Sequence, residues 1–510
     1  MARINVNNLT FCYEGSFDNI FENVSFSVDT NWKLGFIGRN GKGKTTFLNL
    51  LMGKYEYTGV IQTSTVFDYF PYQITKEQQK KCAADFTEEL KPDCEQWKII
   101  CELDKLDVDA EVLYRPFETL SHGERTKVML AMLFSLDNHF LLIDEPTNHL
   151  DWESRETVKK YLSGKKGFIL VSHDRDLLDA CIDHVLVLNR CSVEVQSGNF
   201  TSWWENKSKK DAFAESENEK HKKEIAKLQK AARNVRRWAD KSEQTKIGFD
   251  PVKEPDRCAG TRAYIGGKTK KMQSRVKQME ERIDREIIQK EGLLQDIEAP
   301  VDLKIFPLEH HKKVLCSLTE YGLGYEDSGS YLFENLTMEI CQNERVVLNG
   351  KNGCGKSSLL KAVRMHSENK ELFPKSGMKE NGKLTVAPGL VLSYVSQDTS
   401  FLKGSLQEFC KERNLDESLF FAVLRQLDFS RVQFEKDMKE LSQGQKKKVL
   451  LASSLLTPAH LYIWDEPLNY IDIFSRMQIE KLILDYRPAM LFVEHDVRFR
   501  EKIATKVIEL

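Results

Sequence analysis

The sequence predicts an α/β fold in which one domain occurs twice in tandem, the copies joined by a long antiparallel two-helix linker. Three observations predict it. Six short motifs occur twice in the same order. Within each copy, apolar runs bounded by glycine alternate with helical periodicity, the pattern of a mainly parallel sheet. Between the copies the pattern changes to charged helix. Tyr13, Gly38 and Lys44 recur 312 positions later as Tyr325, Gly350 and Lys356, and Ser121, Asp144 and Glu145 recur 321 positions later as Ser442, Asp465 and Glu466. These repeats place a first domain at 1–204, a linker at 205–304 and a second domain at 305–510.

A chain of 510 residues has room for two or three cores. Its 41% hydrophobic and 30% charged content fits a soluble globular protein. The longest apolar stretch, Val128–Leu136, is interrupted by Ser135. It falls far short of the roughly 20 residues a membrane helix needs. Met1-Ala2-Arg3-Ile4 runs straight into a strand-like segment, without a signal pattern. Eleven cysteines with no CxxC pair suggest neither zinc nor an iron–sulfur cluster, and read as reduced thiols of a cytoplasmic protein. A net charge of −2 gives no global pull toward nucleic acid, so any such signal has to be local.

In chain order, the buried strand Leu34–Ile37 feeds the loop Gly38-Arg39-Asn40-Gly41-Lys42-Gly43-Lys44-Thr45. Val346–Leu348 feeds Gly350-Lys351-Asn352-Gly353-Cys354-Gly355-Lys356-Ser357. A GxxxxGK[ST] loop wraps β- and γ-phosphates with backbone N–H groups at a helix N-terminus. Gly38, Asn40, Gly41, Gly43 and Thr46 belong to the first cradle, and Gly350, Asn352, Gly353, Gly355 and Ser358 to the second. Lys44 and Lys356 reach the phosphate oxygens, while Thr45 and Ser357 offer hydroxyls to Mg²⁺. The strands Leu141–Ile143 and Leu461–Trp464 end in acidic pairs. Asp144 and Asp465 are expected to hold Mg²⁺, directly or through water, and Glu145 and Glu466 to polarise the attacking water. His173 and His495 follow the apolar runs Phe168–Val171 and Met490–Val493, where each can sense a γ-phosphate. Gln73 and Gln397 sit where an amide meets Mg²⁺ and water. Tyr13 and Tyr325 precede their glycine loops by 25 residues and can stack on adenine, with ordinary core burial as the alternative. The chemistry is that of an ATPase with ATP and Mg²⁺ at two sites.

In the linker, Ile225, Leu228, Ala232, Val235 and Trp238 keep a helical apolar stripe, as do Met272, Val276, Met279, Ile283 and Ile287. Gly248, Pro251, Pro255, Gly260, Gly266 and Gly267 break the pattern between them. Lys220 to Lys277 holds 18 Lys+Arg against 6 Asp+Glu, on a chain otherwise acidic. A helix of roughly 40 residues from Glu205 would reach ~60 Å. Such a basic probe suits phosphate backbones, and a solvated spacer is the plainer reading.

Leu120-Ser121-His122-Gly123-Glu124 and Leu441-Ser442-Gln443-Gly444-Gln445 resemble the signature loop of ABC ATPases. In that family the loop closes over ATP held by the opposite domain. The resemblance therefore implies that Lys44 works with Ser442 and Gly444, and Lys356 with Ser121 and Gly123, in an intramolecular pair within a monomer. Asp144-Glu145-Pro146-Thr147-Asn148-His149-Leu150-Asp151 and Ser172-His173-Asp174-Arg175 resemble the ABC-F subgroup. Asp465-Glu466-Pro467-Leu468-Asn469-Tyr470-Ile471-Asp472 resembles its antibiotic-resistance branch, the Lsa/Vga-like proteins and their clostridial relatives. Thr30-Asn31-Trp32-Lys33-Leu34 resembles the Lsa side most. What this implies is a cytoplasmic factor of the bacterial ribosome that closes on two ATP and enters at the tRNA exit site. Its linker then reaches toward large-subunit rRNA and P-site tRNA, displacing lincosamide, streptogramin A and pleuromutilin drugs. Hydrolysis releases it.

Several features depart from that pattern. His122 stands where glycine is usual in the first signature, and with Ser121 and Gly123 retained it is expected to be harmless. Little sequence separates Thr45 from Gln73, leaving no room for the extra arm of housekeeping factors, and the chain ends 15 residues after His495, without the extension some resistance members carry. Phe249, Tyr264 and Ile265 are the apolar side chains near the linker bend, able to stack on a base or simply to join the hairpin. Two other readings share the core motifs: a tandem ATPase subunit of a membrane transporter, and a housekeeping translation factor. The basic hairpin discriminates against the first.

Overall fold

The computed structural model describes residues 3–13, 19–39, 41–92, 94–136, 139–148, 150–188, 193–244, 303–326, 330–368, 377–427, 429 and 431–510, and in the second half of the linker 274, 277–279, 282, 283, 285 and 286. Met1–Trp203 and Pro300–Leu510 form one compact unit, and Trp204–Ala299 another.

The first unit contains two lobes of mixed α/β structure. In the first, the strands are β1 (Arg3–Phe11), β2 (Phe21–Asp29), β3 (Lys33–Ile37), β4 (Thr58–Gln62), β5 (Val66–Phe70), β6 (His139–Asp144), β7 (Phe168–Val171), β8 (His184–Leu188) and β9 (Val193–Ser197). The second lobe has β10 (Val314–Tyr325), β11 (Tyr331–Cys341), β12 (Arg345–Asn349), β13 (Met378–Val386), β14 (Leu392–Val395), β15 (Leu461–Asp465), β16 (Met490–Val493) and β17 (Lys506–Glu509). Each lobe pairs a three-stranded antiparallel sheet, β2-β1-β4 or β11-β10-β13, with a larger one ordered β5-β6-β7-β3-β8-β9 or β14-β15-β16-β12-β17. The larger sheets are parallel except where β9 runs back along β8.

A parallel strand covered on both faces reads as a continuous apolar run rather than an alternating one. Phe168–Val171 and Met490–Val493 are such runs, buried at every position. In both lobes the loop-bearing strand (β3, β12) lies beside β7 or β16, which in turn lies beside β6 or β15. The carboxyl ends of neighbouring parallel strands therefore open onto one crevice, where ligands of such sheets bind. Strand order alone gathers the glycine loop, the acidic pair and the histidine, which in the first lobe span 135 positions from Gly38 to His173.

The helix Phe200–Gln244, most of which belongs to the second unit, runs 45 residues, or ~68 Å at about 1.5 Å per residue. It starts five residues before the expected Glu205 because Asn199 caps it: the Asn199 side chain accepts from Ser202 N at 3.0 Å. Along the expected stripe Ile225 and Ile283 are buried, whereas Met279 is 54% exposed. The described residues of the return segment are helical. The loop 246–267 with Phe249, Tyr264 and Ile265 lies outside the described residues, as do Asn40 and His149.

Candidate functional site

Two sets of side chains assemble at the two crevices through matching hydrogen bonds. Lys44 opens the helix Lys44–Leu51, and its ammonium donates to Gly38 O at 2.6 Å and Arg39 O at 3.3 Å. Lys356 donates to Gly350 O at 2.7 Å and Lys351 O at 2.8 Å. Gly43 has φ +103°, and a Cβ there would stand 2.5 Å from Ile20 Cγ2, so both backbone sign and space require glycine. Thr45 Oγ1 donates to Asp144 Oδ2 at 3.1 Å, and Ser357 Oγ to Asp465 Oδ1 at the same 3.1 Å. A hydroxyl beside one carboxylate is the hard-oxygen donor set that suits Mg²⁺, which takes its remaining ligands from water and phosphate. Asp465 Oδ2 is buried without a hydrogen-bond partner, an orphaned acceptor that a cation would satisfy. The residues present thus fit Mg²⁺ and a triphosphate.

Glu145 and Glu466 both adopt left-handed backbone, φ +50° and +47°. Such residues cost on the order of 1–3 kcal/mol and persist where surrounding structure fixes them. Here the fixing is a backbone bond to the next strand: Glu145 N to Val171 O at 2.8 Å, and Glu466 N to Val493 O at 3.0 Å. His173 Nε2 lies 3.4 Å from Glu145 Oε1, and His495 Nε2 lies 3.4 Å from Glu466 Oε1. The sets then diverge. Glu466 Oε2 accepts from the Gln397 amide at 2.8 Å and from the Asn469 amide at 2.7 Å, whereas Gln73 stands exposed just beyond β5. Burial, reinforced by Asp144, pushes the Glu145 carboxyl up to about 8. For Glu466 burial acts in the same direction but is outweighed by His495, Lys447 and Gln397, which leave it below its ordinary value. Burial, with Lys44, Arg476 and Lys448 nearby, holds the His173 imidazolium far below its usual range.

Tyr13 is 42% exposed, its ring edge-on to Phe11 and Tyr55 and its hydroxyl 2.7 Å from Thr46 Oγ1. Tyr325 repeats that bond to Ser358 Oγ at 2.9 Å. Both tyrosines are thereby pinned to the helix that follows the phosphate loop.

The lobes meet head to tail at these crevices. Gly41, Ser442, Gly444, Lys448, Tyr470 and Gln433 line one cavity of about 390 Å³, within the range of small-molecule sites. Asp472 of the second lobe acts electrostatically on Lys44 and is held by Lys448 at 3.6 Å. On the other side Lys351 pairs with Glu153 at 3.3 Å, and His495 and Lys127 bear on Asp151. Ser121, Gly123, Lys127 and Ser154 line a cavity of about 310 Å³. Ser121 and Ser442 each form a capping box, with Glu124 and Gln445, so the signature loop is a helix N-terminus with its donors aimed outward. His122 is already helical, so the position makes no demand for glycine.

Sequence motifs did not point to several members of the site. Tyr69 donates to Asp144 Oδ2 at 3.1 Å from β5. Lys448, Arg476 and Lys447 are buried cations of the second lobe. The lobes are further tied by a buried fork in which Arg175 donates to both Glu480 oxygens, Nη1 to Oε2 at 3.2 Å. Arg498 closes on Asp176 and on Asp179, the latter at 2.6 Å.

Fold and crevices define a protein with two ATP-binding domains of one kind in a single chain. The family model described as ABC transporter matches residues 21–148 and again 333–469. The chain belongs to that family. It is 26% identical over 501 residues to a ribosome protection protein, VmlR, of Bacillus subtilis, covering 96% of this chain and 84% of that one. To the erythromycin resistance ATP-binding protein MsrA of Staphylococcus epidermidis it is 27% identical, covering 94% and 92%. It is similarly 27% identical to the ATP-binding protein Uup of Buchnera aphidicola, covering 99% and 80%. The archaeal ribosome recycling factor aABCE1, solved with the stalk protein aP1, shares the fold at a TM-score of 0.59 and 16% identity, covering 98% of this chain and 87% of that one. Among the described residues no helix is long and apolar enough to cross a membrane.

Proposed function

We propose that the chain is an ABC-F ATPase that binds the bacterial ribosome and protects it from drugs of the peptidyl transferase centre, namely lincosamides, streptogramin A and pleuromutilins. On this reading the domains run 1–204 and 305–510, with 205–304 as the basic linker that reaches large-subunit rRNA and P-site tRNA in the cytoplasm. Lys44 and Lys356 bind phosphate, and Gly38, Gly41, Gly43, Gly350, Gly353 and Gly355 give it room. Tyr13 and Tyr325 support adenine. Thr45, Asp144, Ser357 and Asp465, with Gln73 and Gln397, hold Mg²⁺, which supplies charge neutralisation of the triphosphate. Glu145 and Glu466 orient the attacking water, with His173 and His495 beside them. Ser121 with Gly123, and Ser442 with Gly444, complete each site from the other lobe.

The observation that carries this reading is the cavity shared by Gly41 of one glycine loop and Ser442 and Gly444 of the opposite signature. Neither lobe alone supplies a complete site, so nucleotide binding and closure are one event. The resemblance of the chain to VmlR supports a ribosomal partner and that to MsrA a role in drug resistance, and the excess of 18 basic over 6 acidic residues in 220–277 supports RNA as what the linker meets. The test is co-sedimentation of a Glu145→Gln/Glu466→Gln protein with purified bacterial ribosomes, with and without ATP, beside a protein shortened within 246–267. ATP-dependent co-sedimentation, with drug protection in cells lost on shortening, is expected. A protein that binds ATP but never the ribosome returns the chain to the transporter-subunit reading.

A further inference from the structure

Lys447 lies five residues past Ser442 on the helix Gln443–Leu456, and it is only 3% exposed. Its ammonium donates to three backbone carbonyls: Ser396 O at 2.9 Å, Asp465 O at 3.2 Å and Glu466 O at 3.2 Å. Ser396 immediately precedes Gln397 beyond β14, and Asp465 ends β15. One cation therefore gathers the backbone under Gln397 and the left-handed backbone that carries Glu466, the two residues whose side chains meet at 2.8 Å. Burial works against the charge, while Asp465, Glu466, Glu494 and Asp398 support it. A lone buried ammonium would be expensive, and these carbonyls and carboxylates are what keep it.

The same helix has its N-terminus at the other site. Ser442 and Gly444 line the cavity over Gly41 of the first glycine loop, and a helix is rigid over the ~7.5 Å that five residues span. Among the described residues of the first lobe the link is not repeated. Five residues past Ser121 stands Thr126, whose hydroxyl donates to His122 O at 2.9 Å within its own helix.

We propose that Lys447 is a positioning residue that couples the two sites: seating the second signature loop on nucleotide at the Lys44 site sets Glu466 and Gln397 for hydrolysis at the Lys356 site. The reverse coupling has no corresponding cation, so the two sites are not interchangeable. This inference rests on the ATPase reading above. A buried strut that merely holds the second lobe together is the competing role, and the two differ in what they predict for single sites.

The test uses full-length protein in two backgrounds, Glu145→Gln, in which only the Lys356 site turns over, and Glu466→Gln, in which only the Lys44 site does. Into each go Lys447→Met, which keeps an unbranched chain one atom shorter and removes the charge, and Lys447→Thr, which copies the first lobe. The expected result is a fall of at least tenfold in kcat with KM for ATP little changed in the Glu145→Gln background, and a change below twofold in the Glu466→Gln background. Adding Ser442→Ala to the Glu145→Gln protein lowers kcat when Lys447 is present and has little further effect when it is absent. Equal losses in both backgrounds, strictly multiplicative effects of Ser442 and Lys447, or no loss with either Lys447 variant would each overturn the coupling. Thermal melts with ATP binding keep folding defects visible: unfolding by both Lys447 variants would assign the strut role and overturn the proposal. A parent protein without ATPase activity would instead sink the functional reading itself.

Discussion

The fork between Arg175 and Glu480 is the joint between lobes on which a quantitative prediction stands best. Arg175 is 6% exposed and Glu480 1%, and the guanidinium addresses both carboxylate oxygens. Breaking a buried pair by removing one partner typically costs about 3–5 kcal/mol, because the survivor is left charged and dry. Two neighbours soften that here. Lys502, half exposed, stays 3.2 Å from Glu480, a contact of the surface kind worth at most ~1 kcal/mol. Asp496 stands 4.0 Å from Arg175 but is already held by Arg476 at 3.1 Å. Arg175→Met should therefore cost ~3 kcal/mol and Glu480→Met about the same, while the double variant, which leaves an apolar contact, should lie near the parent. The assay is urea unfolding of all four proteins, read as a double-mutant cycle so that effects outside the pair cancel. On these figures the coupling energy is about 6 kcal/mol. A value below ~0.5 kcal/mol would refute the claim that this fork joins the lobes.

Gly444→Ala should reduce ATP turnover more than Gly123→Ala: a Cβ at Gly444 meets Tyr470 O at 2.9 Å and Tyr470 Cβ at 3.1 Å, whereas at Gly123 it meets the Ser154 hydroxyl at 3.0 Å, which can rotate away. Steady-state ATPase rates that rank the two the other way would contradict this. His122→Gly should change turnover by less than about twofold and lower thermal stability slightly, since glycine in a helix costs roughly 0.5–1 kcal/mol. A large rate gain would mean that His122 restrains the site. Tyr69→Phe removes the bond to Asp144 and should cost ~1 kcal/mol in the Mg²⁺-dependent part of nucleotide affinity, measured by calorimetry at varied Mg²⁺. Identical affinity with and without the hydroxyl would remove Tyr69 from the site.

Much of the fold and of the motif set was legible because phosphate chemistry demands contiguous residues. A glycine loop must bend, approach and end in Lys-Thr or Lys-Ser within eight positions, and that requirement is written locally. Parallel strands likewise announce themselves as runs such as Phe168–Val171. What escaped was non-local. In Lys446-Lys447-Lys448 the three residues are chemically alike, and such a run reads as a solvated face. Yet Lys447 and Lys448 are buried while Lys446 is partly exposed, Lys447 against the ends of β14 and β15 and Lys448 against Asp472. The bond from Tyr13 to Thr46 spans 33 residues and comes from the segment just past β1, so no spacing rule reaches it. The early start at Phe200 was available in Asn199, a favoured cap, but was hidden by the aromatic run Phe200, Trp203 and Trp204, which reads equally well as strand or core.

Asp176 and Arg498 occupy corresponding places, separated by the same 322 positions as His173 and His495, and they touch each other. In an association of two identical halves, a residue at such a place faces its own copy. A homodimer of the first half would set Asp176 against Asp176, and one of the second would set Arg498 against Arg498. Within one chain that demand for self-complementarity is absent, and corresponding places can carry opposite charges. The joint has become a lock and its key, and each half now discriminates against its twin in favour of its sibling.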